Sequence, residues 1–117
     1  MKNILIVDDT FFMRSSIKKI LEEEGYNIVG EAENGLEAIE KFQQLKPDLV
    51  LMDITMPVMT GLEALENIKK IDSNARVVMV SAMGQEATVK QAIIKGAETF
   101  IVKPFKPETL LGILKSI

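Results

Sequence analysis

Five short apolar runs punctuate the chain: Ile4–Val7, Asn27–Gly30 with its flanks, Leu49–Met52, Val77–Val80 and Phe100–Val102. They are rich in Val, Ile and Leu and lack polar alternation, the pattern of strands covered on both faces. Stretches of helical period lie between them. Met13, Ile17, Ile20 and Leu21 give a first apolar stripe, Ala38, Ile39, Phe42 and Leu45 a second, and Leu65, Ile68 and Ile71 a third. Val89, Ala92, Ile93 and Gly96 are expected to form the buried stripe of a fourth helix, and Leu110, Leu111, Leu114 and Ile117 that of a fifth. Asn34-Gly-Leu-Glu37 and Thr60-Gly-Leu-Glu63 read as capping boxes opening the second and third helices. Gly25 and Gly96 stand where the first and fourth should stop, and Lys46-Pro47 parts the second helix from the third strand.

Strict alternation of strand and helix predicts a parallel sheet with right-handed crossovers. The fold class is therefore α/β, a doubly wound (βα)5 sandwich of three layers around five parallel strands. No linker or internal repeat interrupts the chain, so residues 1–117 are expected to form one domain.

Composition narrows the chemistry. The chain is 47% hydrophobic and 26% charged, as a globular protein with a proper core should be. A net charge of −3 argues against nucleic acid as a partner, because phosphates need a basic patch. No apolar run of about 18 residues is present, so membrane insertion is not expected. No signal peptide is visible either, which points to the cytoplasm. With neither Cys nor His, disulfides, the usual zinc sites and His-based nucleophilic catalysis are excluded.

What remains is carboxylates, hydroxyls, lysines and a hard metal ion. In open parallel sheets ligands gather beyond the carboxyl ends of the strands. The first run ends in Asp8-Asp9, the third in Asp53, the fourth in Ser81 and the fifth in Lys103. Each has a plain structural reading. The Asp pair could cap the next helix, Asp53 could start a turn, Ser81 could cap a helix, and Lys103 could be a solvated loop residue. Their coincidence on one rim favours a shared site. Two adjacent carboxylates and a third opposite repel each other unless a cation sits among them. All-oxygen ligation by Asp8, Asp9 and Asp53 suits Mg²⁺ or Mn²⁺ completed by waters. A carboxylate beside such an ion and an ammonium is arranged to receive a phosphoryl group. Asp53, on the central strand, is the expected nucleophile.

"LIVDD", "PDLVLMDITMPVMTGLEAL", "VVMVSA", "GA" at 96–97 and "FIVKPF" occur in the order and at the spacings of one family. Over its whole length the chain resembles the receiver domains of two-component response regulators, and especially the stand-alone chemotaxis regulators. The strand order 2-1-3-4-5 is that of the chemotaxis receivers themselves and is carried over with the resemblance. The resemblance implies a phosphorylation-activated switch, not an enzyme beyond its own phosphorylation and slow dephosphorylation. A sensor histidine kinase would phosphorylate Asp53. Mg²⁺ would be held by Asp9, Asp53 and the carbonyl of Thr55, with Asp8 acting through water. Ser81 and Lys103 correspond to the groups that contact the phosphoryl oxygens, and Phe100 to an aromatic switch residue. A cis peptide before Pro104 is also implied. The partners would be a target protein such as a flagellar motor switch component, and a phosphatase.

Ser81 stands where Thr is commoner, and Phe100 lacks the hydroxyl of the Tyr often found there. The resemblance implies an output surface made of the fourth helix, the fifth strand and the fifth helix. Here Ile94 is expected to be exposed beside Lys90, with Lys106 and Phe100 emerging nearby. A chain ending at Ile117 is expected to carry no DNA-binding output domain. Alternatives are a receiver of another phosphorelay, for sporulation or second-messenger control, or a phosphotransferase of the haloacid-dehalogenase type. The latter wants a second acid two residues after Asp53, where Thr55 stands. A flavodoxin-like electron carrier would need a phosphate loop where the acidic "DDTFFMR" lies.

Overall fold

The computed structural model describes residues 2–117 and places strands and helices in strict alternation. The strands are β1 (Asn3–Val7), β2 (Asn27–Ala32), β3 (Leu49–Met52), β4 (Val77–Ser81) and β5 (Thr99–Val102). The helices are α1 (Phe11–Glu23), α2 (Gly35–Leu45), α3 (Gly61–Ile71), α4 (Glu86–Ile94) and α5 (Pro107–Ser116). All neighbouring strands are parallel, in the order β2-β1-β3-β4-β5. β3 matches its apolar run residue for residue. β4 and β5 reach further than theirs, because Ser81 pairs with Val102 and Thr99 with Val78.

Alternate strand residues face opposite layers. Leu5, Val7, Val50, Met52, Val77 and Met79 pack with Ala38 and Phe42 of α2, Ala64, Leu65 and Ile68 of α3, and Ala92 of α4. Ile4, Ile6, Leu49, Leu51, Val78 and Val80 pack with Ile17 and Leu21 of α1 and Leu110 and Leu114 of α5. Burying each such large aliphatic side chain stabilises by roughly 1.5–3 kcal/mol. No helix is long and apolar enough to cross a membrane among the described residues.

Four apolar positions expected inside lie at the surface, one of them Val102 at the end of β5, which is 48% exposed. Leu45 and Ile71 are the last residues of α2 and α3 and are partly open to solvent there, although Leu45 Cδ1 still lies over Gly30 of β2. Ile93 is 48% exposed, and Ala92 alone of α4 is buried. Val89, Ala92, Ile93 and Ile94 cover more of this short helix's circumference than the sheet can shield. Ile94 is 83% exposed, as its helical position requires.

The helix ends obey their local signals with one change. Thr60 and Glu63 form the reciprocal capping box of α3. Asn34 accepts the Glu37 N–H at 2.9 Å, but the Glu37 carboxylate returns to the Glu33 N–H, one residue before the cap. This is a cap without the full box. Gly25 and Gly96 take φ of +88° and +108°, which ends α1 and α4 at little steric cost.

Candidate functional site

The strand order reverses between β1 and β3, and there the acidic residues meet. Asp8 and Asp9 follow β1, Asp53 follows β3, and oxygens of all three carboxylates lie within 4.8 Å of one another. Ser81 closes β4. Lys103 follows β5, its N–H donating to the Ser81 carbonyl at 2.9 Å, and the Lys103–Pro104 peptide is cis as expected.

Lys103 links the site. Its ammonium donates to Asp8 Oδ2 at 2.7 Å and to Asp53 Oδ2 at 3.2 Å. Asp8 Oδ1 accepts the Thr10 N–H at 2.9 Å and the Thr10 hydroxyl at 2.7 Å. Asp8 therefore has partners on both oxygens and is only 2% exposed, while Asp9 is exposed. The plain structural readings do not describe these contacts. Neither Asp caps α1, whose N-cap is Thr10. Ser81 accepts the Met83 N–H at 3.1 Å and leaves the capping position of α4 to Gln85.

The charges are unequally compensated. Burial pushes Asp8 upward, but the Lys103 and Thr10 hydrogen bonds overcome it, and its pKa ends below the ordinary value. Burial also dominates at Asp53. Lys103 opposes it, the nearby Asp8 charge adds to it, and the pKa ends raised. Burial would lower Lys103, but hydrogen bonding to Asp8 and the charge of Asp53 hold its pKa up. Asp8 owns most of the ammonium, and Asp53 carries the less compensated charge.

The β3–α3 turn fixes Asp53 through a close backbone approach. The Gly61 N–H donates to the Ile54 carbonyl at 2.8 Å. A Cβ on Gly61 would fall 1.8 Å from the Asp53 carbonyl oxygen, so only glycine fits. The Asp53 side chain also accepts the Ile54 N–H at 2.7 Å. Thr55, in the same turn, donates its hydroxyl to the Met83 sulfur at 3.1 Å across the mouth of the site.

The residues fit a hard divalent cation. Three oxygen-bearing side chains converge, and one of them, Asp9, is exposed and has no hydrogen-bonded partner among the described side chains. Phe100 is half-buried against the α4-side core, whereas Lys90 and Lys106 are exposed. Lys90 pairs with Glu86 at 3.4 Å. Sequence reasoning missed Arg14, which is buried in α1 and donates to the Asp8 carbonyl at 2.7 Å. The available signal was a charged residue on the same helical stripe as Ile17 and Leu21.

The family model for the response regulator receiver domain matches residues 4–115. The chain belongs to the response regulator receiver family. It is 53% identical to the chemotaxis protein CheY of Thermotoga maritima, over 99% of this chain and 97% of that protein. Against CheY of Bacillus subtilis the identity is 56%, over 92% and 90% of the two chains. The crystal structure of the CheX–CheY–BeF3–Mg²⁺ complex from Borrelia burgdorferi superposes with a TM-score of 0.96 at 45% identity, covering 98% of this chain and 87% of that one. This receiver is a chemotaxis-type response regulator, a phosphorylation-activated signalling protein and not a classical enzyme.

Proposed function

We propose that Asp53 accepts a phosphoryl group from a sensor histidine kinase, with Mg²⁺ at the acidic cluster, and that residues 1–117 act as one cytoplasmic switch unit. One observation carries the assignment of roles. Lys103 bonds both Asp8 and Asp53, while Thr10 occupies the other oxygen of Asp8. Asp8 is thereby engaged, Asp9 is free to ligate, and Asp53 is the carboxylate held beside an ammonium with charge to spare.

Asp9, Asp53 and the main-chain carbonyl of Thr55 would hold the ion directly, and Asp8 through water. The ion, when bound, neutralises phosphoryl oxygens. An Asp53 oxygen attacks phosphorus in line, the bond to the donor imidazole breaks, and its electron pair returns to that nitrogen. Lys103 then trades part of its contact with Asp53 for a phosphoryl oxygen. Ser81, whose oxygen already accepts from Met83, donates its own proton to another. Slow hydrolysis of the acyl phosphate, or a phosphatase, resets the switch. For output, inward movement of Ser81 frees space that Phe100 fills. This reshapes a surface that includes Ile94, Lys90 and Lys106 and binds an acidic target segment, with a motor switch component as the target class.

Acetyl phosphate with Mg²⁺ should add one phosphoryl group, measured by intact mass, and Asp53→Asn should abolish the gain. Full labelling of that variant at another residue would overturn the assignment.

A further inference from the structure

Arg14 is a charged residue buried in a helix face that otherwise packs the core, being 6% exposed. Its guanidinium has two firm partners. Nη1 donates to the Asp8 carbonyl at 2.7 Å, and Nε donates to Glu31 Oε1 at 3.0 Å at the end of β2. Glu33 Oε1 lies 3.6 Å from Nη2, and the Phe11 ring covers the group with its centroid 5.7 Å away. Lys18 shares Glu31 at 3.8 Å. The planar fork thus ties the peptide between Asp8 and Asp9 to the neighbouring strand's end, a geometry a lysine cannot reproduce.

That peptide matters because of what Asp9 lacks. Thr10 and Lys103 orient the Asp8 side chain directly. The Asp9 carboxylate has no such partner among the described residues, so its aim toward Asp53 is set by its backbone alone. Side-chain hydrogen bonds hold the peptides on both sides of Asp9: the Thr10 N–H donates to Asp8 Oδ1 at 2.9 Å, and the Asp8 carbonyl accepts from Arg14 at 2.7 Å.

We infer that Arg14 is a positioning residue for the cation site: by clamping the Asp8 carbonyl to Glu31, it aims the Asp9 carboxylate at the ion. The inference rests on the metal site proposed above. It makes a prediction opposite in sign to simple electrostatics. A cation next to a Mg²⁺ site repels the ion, so removing Arg14 by itself should tighten binding. Losing the clamp should weaken it, and disturbing such supporting contacts typically costs 10–100-fold in metal affinity.

The test is titration of the full chain with MgCl2, followed by amide chemical shifts, for the parent, Arg14→Gln and Arg14→Lys. Both variants should bind about 10-fold more weakly or worse, although only the first loses the charge. In an Asp9→Ala background the same substitutions should cause little further loss, because the effect passes through Asp9. Cooperative thermal melts without Mg²⁺ check folding, and Arg14→Lys carries the test where Arg14→Gln does not fold. Unchanged or tighter binding in the folded variants overturns the inference alone, as does a loss that adds fully to that of Asp9→Ala. A parent that binds no Mg²⁺ overturns the metal reading and this inference with it.

Discussion

One ammonium cannot compensate two carboxylates equally, and the shorter contact of Lys103 goes to Asp8. Asp53 is left with burial and a like charge working against its ionised form. Its folded-state pKa therefore lies above the unfolded value of 3.8. Protonation favours the folded state, so the contribution of Asp53 to stability is most favourable in acid. It is lost as pH climbs from 3.8 through the raised folded value. Asp53→Asn removes the charge that causes the loss. In thermal melts without divalent ions at neutral pH, this variant should have a higher Tm than the parent, and the gap should narrow in acid. A lower Tm at neutral pH would mean the carboxylate is stabilising after all. The members of this site were legible as polar residues directly following apolar runs. The division of labour among them was not, because Lys103 meets Asp8 across 95 positions of sequence. Arg14 was hidden for the same reason, since its acceptors lie in β2 and in the β1–α1 loop.

At the scale of elements, period and punctuation carried the fold, and misreadings cluster at the ends of elements and on α4. Alternation alone placed five strands between two helical layers. It could not tell that Leu45 and Ile71, the last residues of α2 and α3, would stay partly exposed. Nor could it tell which apolar residues of α4 the sheet would cover. The β3–α3 junction is specified most tightly, and its two local signals differ in kind. Thr60 caps α3, and its replacement by Ala should cost about 1 kcal/mol by urea unfolding. Gly61 answers to sterics. Its absent Cβ would overlap the Asp53 carbonyl, so Gly61→Ala must displace either that strand end or the start of α3. The expected loss is roughly 1–3 kcal/mol, as for other overpacked sites, with slower labelling of Asp53 by acetyl phosphate. Labelling at the parent's rate in Gly61→Ala would mean that the close approach does not set the position of Asp53. The sequence signal here was a glycine in a helix-starting position, and it was read only as part of a cap.

Over the whole molecule, the acidic site and α4 are joined through one edge of the sheet. Ser81 pairs with Val102, and Met79 with Phe100, in the β4–β5 ladder. Phe100 packs against the same core as Ala92 and Ala97, the buried footings of α4 and of the turn that follows it. On the proposed reading, a shift of Ser81 toward a phosphoryl group would reach α4 by way of Phe100. Among the described residues the β4–β5 ladder does not reach α2, which lies on the same face of the sheet as α4 but over β1 and β2, beyond β3. Beryllofluoride with Mg²⁺ mimics the acyl phosphate without its hydrolysis. Its addition should change amide hydrogen exchange across Glu86–Ile94 while exchange in the body of α2 stays as it was. A coupling of about 10-fold in α4 protection would correspond to roughly 1.4 kcal/mol, within the usual range for communication between sites. Phe100→Leu keeps an apolar side chain but shortens its reach, and should shrink the response of α4 while leaving Mg²⁺ affinity unchanged. A response of full size in Phe100→Leu would show that the signal leaves the site by another route. An equal response in α2 would mean that the whole sheet stiffens and that no directed path through β5 exists.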